Sequence, residues 1–70
     1  LVAKDKGLGD LKLIIEQSTK VLKKGGMLIL EHGYEQENEV GNILKENNFL
    51  DIKNFKDFQN LPRITLATLE

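Results

Sequence analysis

The sequence predicts an α/β fold with the order helix, strand, helix, strand, strand. Three observations carry that expectation. Leu11, Ile14, Ile15, Ser18, Val21 and Leu22 recur at helical spacing and stop before Gly25-Gly26. Met27, Leu28, Ile29 and Leu30 are apolar without a break and run straight into Glu31, His32 and Gly33. Two β-like segments, 50–56 and 63–69, flank a short polar connection ending in Pro62. A strand that is apolar on both faces requires a layer above it and another below, as in a parallel sheet.

The elements follow in order. Residues 1–9 read as a loop, with Gly7 and Gly9 close to a helix start. Asp10 is the expected N-cap, and the first helix is expected over 10–24. Lys20, Lys23 and Lys24 then occupy its last turn, where cations suit the negative end of the helix dipole, and Gly25 supplies a left-handed stop. A strand is expected over 27–31, with Met27 and Ile29 on one face and Leu28 and Leu30 on the other. The second helix is expected over 35–47. Glu35, Glu37 and Glu39 load its positive end, and Val40, Ile43 and Leu44 form its buried stripe. Gly41 inside that helix costs about 1 kcal/mol relative to alanine, which predicts a neighbouring backbone close against it. Asn47-Asn48 ends the helix, because asparagine tolerates the left-handed conformation. Asp51, Lys53 and Lys56 mark the strand 50–56 as an edge, where charge discourages stray pairing. Residues 58–62 are a turn. In the strand 63–69, Ile64 and Leu66 face one side and Ala67 and Leu69 the other. The short connection makes these two strands an antiparallel hairpin.

This order leaves a layer missing. Crossovers between parallel strands are right-handed in nearly all sheets, so the helices on either side of the 27–31 strand cover the same face. The opposite face, and one sheet edge, are expected to be bare within these residues. Residues 1–70 are therefore expected to form the carboxyl-terminal portion of a larger single domain. The alternative is a small protein that hides the bare face by self-association.

Composition narrows the functional classes. A chain of 70 residues buries only about 60% of its unfolded surface. It has no cysteine and one histidine, which excludes disulfide staples, thiolate zinc and histidine-rich metal sites. A formal charge of −1 gives no field for capturing nucleic acid or an anionic membrane. No stretch resembles a signal peptide or is long enough to span a bilayer, and with the missing cysteines this predicts a cytoplasmic location.

Few motifs carry chemistry. Lys24-Gly25-Gly26-Met27 follows a helix and opens a strand, the reverse of a phosphate loop, so it is a helix stop. Gly7-Leu8-Gly9 precedes a helix but lacks the preceding strand that a nucleotide fingerprint needs. Glu31-His32 lacks the second histidine of a zinc-protease helix. Asp57 and Arg63 flank the hairpin turn, where a cross-turn ion pair contributes about 0–1 kcal/mol. The best-placed polar residues are Glu31, His32, Gly33 and Gln36. They follow the buried strand at its carboxyl end, where open α/β sheets bind ligands. Gly33 is expected to be a turn glycine with positive φ. His32 reads more simply as a hydrogen-bonded structural residue than as a base. For Glu31, capping backbone amides and lining a ligand crevice stand equally.

In order and spacing, Gly7-Leu8, the helix 11–22, Leu22-Lys23-Lys24-Gly25-Gly26, Leu30-Glu31-His32-Gly33-Tyr34 with Gln36, Asn48-Phe49, Asp57 and Arg63 resemble one protein group. That group is the carboxyl-terminal part of the HemK/PrmC-type peptide-chain release factor glutamine methyltransferases. The most specific piece is Glu31-His32-Gly33-Tyr34 with Gln36. The resemblance implies a Rossmann-like S-adenosylmethionine-dependent methyltransferase domain whose last, antiparallel strand inserts between the two strands before it. It implies methyl transfer from S-adenosylmethionine to the side-chain amide of glutamine in the Gly-Gly-Gln loop of a release factor, the protein partner. The glycine-rich cofactor turn and the Asn-Pro-Pro-Tyr segment of that family are absent here and would lie upstream of Leu1. No catalytic or cofactor-binding residue is therefore carried over, and Glu31, His32, Gly33 and Gln36 receive only a supporting role beside the substrate. Asn48 stands where the family often has glycine, and Gln59-Asn60-Leu61-Pro62 replaces a glycine-containing turn. Two other readings stay open: a methyltransferase of the same fold acting on nucleic acid or a small molecule, and a non-enzymatic α/β dimerisation module.

Overall fold

The computed structural model describes residues 1–4 and 8–70. Its elements are β1 (Val2–Ala3), α1 (Leu8–Val21), β2 (Met27–Glu31), a 3-10 turn (Tyr34–Gln36), α2 (Glu37–Glu46), β3 (Phe49–Lys56) and β4 (Pro62–Leu69). Gly7, placed by the sequence near a helix start, lies outside the described residues.

The helix expected over 10–24 begins earlier and ends sooner. Asp10 therefore sits inside the first turn of α1 instead of capping it, where its carboxylate still meets the positive end of the dipole. Lys20 is in the last turn, while Lys23 and Lys24 lie beyond it. The chain then reverses at Gly25, whose φ of 82° is the left-handed stop. Next to it the Gly26 N–H donates to Lys23 O at 2.8 Å. Leu11, Ile15 and Ser18 are buried, but Val21 is 71% exposed and leaves the expected stripe. Ser18 is buried without penalty because its hydroxyl donates to Ile15 O at 2.7 Å.

The four strands form one sheet in the order β1-β2-β4-β3. Val2–Ala3, read from sequence as loop, lies parallel to β2 with Val2 opposite Ile29 and Ala3 opposite Leu30. Two residues are too few to show a periodicity, so no strand signal is legible there. β4 runs antiparallel to both β2 and β3 and inserts between them, while β3 is an edge, as its charges predict. Pro62 opens β4, a position where a missing N–H is tolerated.

Register fixes the two faces. Leu28 opposes Ala67 and Leu30 opposes Thr65, and Phe49 opposes Leu69. These residues face Leu11 and Ile15 of α1 and Val40 and Leu44 of α2 in one core. Each fully buried leucine or isoleucine there contributes about 1.5–3 kcal/mol. Met27, Ile29, Leu66 and Ile64 face the other way, joined by Val2, Leu50 and Phe55. Neither helix covers that side: Val2 is 61% exposed, Met27 47%, Leu50 48% and Phe55 48%. Both helices lie on one face, as the handedness of crossovers requires.

The second helix is preceded by a 3-10 turn, so Glu35 sits in that turn and Glu37 and Glu39 in the first turn of α2. It ends at Asn47, and Asn48 follows with φ 67°, the left-handed role that asparagine fills in place of glycine. Gly41 has open space where a Cβ would stand, so the expected close backbone is absent. No helix among the described residues is long and apolar enough to cross a membrane.

Candidate functional site

The parallel strands β1 and β2 end at the same side of the sheet, beside the turn of the β3–β4 hairpin. Lys4, Glu31, His32, Asp57, Arg63 and Ile64 line a cleft there of about 440 Å³. Two cations and two carboxylates face it. Glu31 is exposed at the end of β2, and Ile64 lies directly opposite it on β4.

His32 is 3% exposed, and both ring nitrogens are engaged. Nδ1 lies 2.8 Å from the Gly33 carbonyl oxygen and Nε2 lies 2.7 Å from the Thr65 hydroxyl. The Thr65 hydroxyl is in turn 2.7 Å from Asn54 Oδ1. One histidine thus ties the end of β2 to β4 and, through β4, to β3. A backbone link runs parallel to it, from the His32 N–H to Arg63 O at 2.9 Å. Among the described residues no buried side-chain nitrogen or oxygen lacks a partner, so this polar cluster beside an apolar core is fully satisfied.

Gly33 differs from expectation. Its φ of −67° and ψ of 146° are extended, a conformation open to any residue. The pairing of His32 with Arg63 holds the chain straight one residue past β2, and the turn comes afterwards. The Gln36 side chain accepts the Gly33 N–H at 2.8 Å, and the Gln36 N–H donates to Gly33 O at 3.0 Å. Gln36 is therefore spent on closing this turn. Of the four residues singled out from the sequence, Glu31 and His32 line the cleft, while Gly33 and Gln36 shape the turn beside it.

The hairpin supplies the other wall. Asp57 Oδ1 accepts the N–H groups of Gln59 at 2.8 Å and Leu61 at 3.0 Å, and its Oδ2 lies 3.4 Å from Arg63 Nε. These contacts hold the Asp57 carboxyl below its usual range. The Leu61 N–H is the chief cause; burial pulls the other way, and the Gln59 N–H and the Arg63 guanidinium add to the lowering. The guanidinium also lies 5.5 Å from the centre of the Tyr34 ring, a cation–π distance. Arg63 thus joins the hairpin to the turn after β2. Asn60 has φ 66° and does the work of the glycine missing from this connection.

Sequence reasoning missed Lys4, Thr65 and Asn54. Thr65 left a signal: it shares an inward face with Ala67 and Leu69, and a buried hydroxyl needs a partner. Lys4 left none, because β1 is too short to read. The Gly25-Gly26 turn leads from helix to strand, so it is not the strand-to-helix glycine turn that a nucleotide-like cofactor needs.

Comparison with known proteins places this chain. It is 42% identical over 67 residues to a release factor glutamine methyltransferase of Yersinia pestis, covering 96% of this chain and 24% of that protein. It is 41% identical over 69 residues to the enzyme of the same name from Francisella tularensis, covering 99% and 24%. The chain thus spans about a quarter of the length of the curated relatives it matches. It is similar in structure to the protein-(glutamine-N5) methyltransferase (release factor-specific) of Alicyclobacillus acidocaldarius, with a TM-score of 0.70 and 24% identity over 97% of this chain and 48% of that one. At that identity the likeness shows the fold alone. No family model matches the chain. Its curated homologues are release factor glutamine methyltransferases, matched in their carboxyl-terminal region, and its fold is the mixed α/β, Rossmann-like one.

Proposed function

We propose that this chain forms the substrate-side flank of a protein methyltransferase. That enzyme transfers methyl from S-adenosylmethionine to the side-chain amide of a glutamine in a release factor. The observation that carries the reading is the 42% identity over 67 residues to a named release factor glutamine methyltransferase. The strand-end cleft supports it, because ligands of open α/β sheets sit beyond the carboxyl ends of the parallel strands.

In this reading Glu31 and His32 stand beside the protein substrate, and Gly33 and Gln36 hold the turn that presents them. In the same reading the cofactor is held by residues outside this chain, since the Gly25-Gly26 turn runs from helix to strand and is not a nucleotide-type cradle. The substrate glutamine lies in a Gly-Gly-Gln loop, and the setting is translation termination in the cytoplasm. A protein substrate suits an open cleft beyond the strand ends better than the enclosed pocket of a small-molecule enzyme.

Two measurements test this. These 70 residues, grafted in place of the matching region of the Yersinia pestis relative, should give a folded enzyme that methylates release factor within about tenfold of its parent. A folded chimera that binds S-adenosylmethionine but methylates only nucleic acid or a small molecule would overturn the substrate assignment. Calorimetric titration of the 70-residue chain by itself should show no saturable binding of S-adenosylmethionine at micromolar concentration.

A further inference from the structure

Phe58 touches almost nothing in this chain. It is 97% exposed, more than any other large apolar residue among those described, and it stands in the turn between β3 and β4. Val2, Met27, Leu50 and Phe55 are exposed as parts of the bare sheet face, and Leu13 and Val21 as parts of α1. Phe58 belongs to neither group. A single aromatic ring on a slack loop would be ordinary surface, but the turn that carries Phe58 is tied down. The Asp57 N–H donates to Leu61 O at 2.8 Å and the Asn60 N–H to Asp57 O at 2.9 Å. Asp57 Oδ1 accepts the N–H groups of Gln59 and Leu61. The backbone under the ring is thus fixed before any partner arrives, and only two side-chain torsions remain to be ordered on contact.

Position restricts what that partner is. β2 and β3 both lie antiparallel to β4 and therefore run the same way. The hairpin turn projects at the end where β2 gives way to Glu31 and His32, the side on which open α/β sheets take ligands. Asp57 and Arg63, on either side of Phe58, line the strand-end cleft, but Phe58 is not among its walls. A ring outside the cleft serves only a partner larger than the cleft. Its surroundings are those of a protein contact: Arg63 lies 5.5 Å from the centre of the Tyr34 ring, and Tyr34 is 45% exposed, and aromatic residues and arginine are enriched where proteins meet. Nor does the ring face a continuation of the sheet. β3 is charged and irregular in register, a poor template for another strand, so any continuation falls to β1 at the opposite edge.

We propose that Phe58 is a docking anchor for the protein substrate. It seats in an apolar hollow on the folded release factor, apart from the glutamine loop that enters the cleft. This inference rests on the methyltransferase reading and names a contact within it. A contact remote from the reacting amide holds substrate and transition state equally, so it acts on KM and leaves kcat alone.

The chimera that carries these 70 residues in the Yersinia pestis relative tests it. Phe58→Ser removes the ring without disturbing packing inside this chain, so the melting temperature and the affinity for S-adenosylmethionine should match the unsubstituted chimera. KM for whole release factor should rise about tenfold at unchanged kcat. Phe58→Tyr keeps the ring and should stay within about threefold of the unsubstituted KM. An unchanged KM in Phe58→Ser, or a loss carried by kcat alone, would overturn the proposal. So would a lowered melting temperature, which would bury the ring against the rest of the enzyme instead. A folded, unsubstituted chimera that methylates no release factor defeats the methyltransferase reading and this proposal with it, whereas an active one indifferent to Phe58 defeats the proposal alone. A second measurement needs no graft: in nuclear magnetic resonance of the 70-residue chain, added release factor should broaden the ring signals of Phe58, and Phe58 signals left sharp count against the contact.

Discussion

Gly41 and Gly26 look alike in the sequence and play opposite parts. At Gly41 nothing lies within 4 Å of where a Cβ would stand, so the helix pays glycine's entropy for no packing gain. Gly41→Ala should raise the stability of the chain by about 0.5–1 kcal/mol, read as the urea midpoint at unchanged slope. At Gly26 a Cβ would fall 2.9 Å from Lys23 O, a backbone atom that cannot swing aside, and 3.1 Å from the Leu22 side chain. Gly26→Ala should cost about 1–3 kcal/mol by the same measurement. The sequence marked Gly25 as the stop between α1 and β2, correctly, because a helix pattern meeting a strand pattern demands one left-handed residue. The need for Gly26 was not legible, since it comes from an atom that packs there only once Gly25 has turned the chain.

Among the elements, the β3–β4 hairpin sets the geometry of the candidate site. Its connection is held by one carboxylate that accepts two backbone N–H groups and faces Arg63. The Asp57 carboxyl is held below its usual range in the folded chain. The contribution it makes to stability is therefore complete above the ordinary carboxylate range, near pH 4 and higher. It is lost as pH falls through the lowered value, because the unfolded chain binds the proton first. Asp57→Asn should remove that part of the acid dependence in thermal melts taken between pH 2 and pH 6. The hairpin itself, its antiparallel sense and its edge position were readable from 50–56 and 63–69. The shape of β3 was not. Asp51 has φ 52°, and the ladder shifts register between Leu50 and Lys53 and again between Phe55 and Lys56. Such bulges come from the twist the sheet adopts, and an alternating pattern of side chains does not record them. Thr65 and Asn54 escaped for a related reason. Their meeting with His32 depends on β4 lying between β2 and β3, a nonlocal fact that no short window contains.

For the whole molecule, the informative feature is the uneven wrapping of the sheet. The handedness of crossovers alone puts both helices on one face. The sheet side carrying Met27, Ile29, Leu66 and Phe55 is left to solvent by both of them. Apolar patches of this kind draw partners. At high micromolar concentration the 70-residue chain is expected to self-associate through this face. Met27→Lys with Phe55→Lys should weaken that association about tenfold or more in sedimentation equilibrium, leaving the far-ultraviolet dichroism unchanged. Association indifferent to both lysines would place the contact elsewhere. The two flanks of the sheet are also unequal. β3, with one extra residue of its own between Leu50 and Lys53 and another facing it on β4 between Ile64 and Pro62, offers no straight template to an incoming strand, whereas β1 accompanies only two of the five residues of β2. The sheet consequently has a direction of growth: a further strand is welcome beyond β1 and refused at the hairpin.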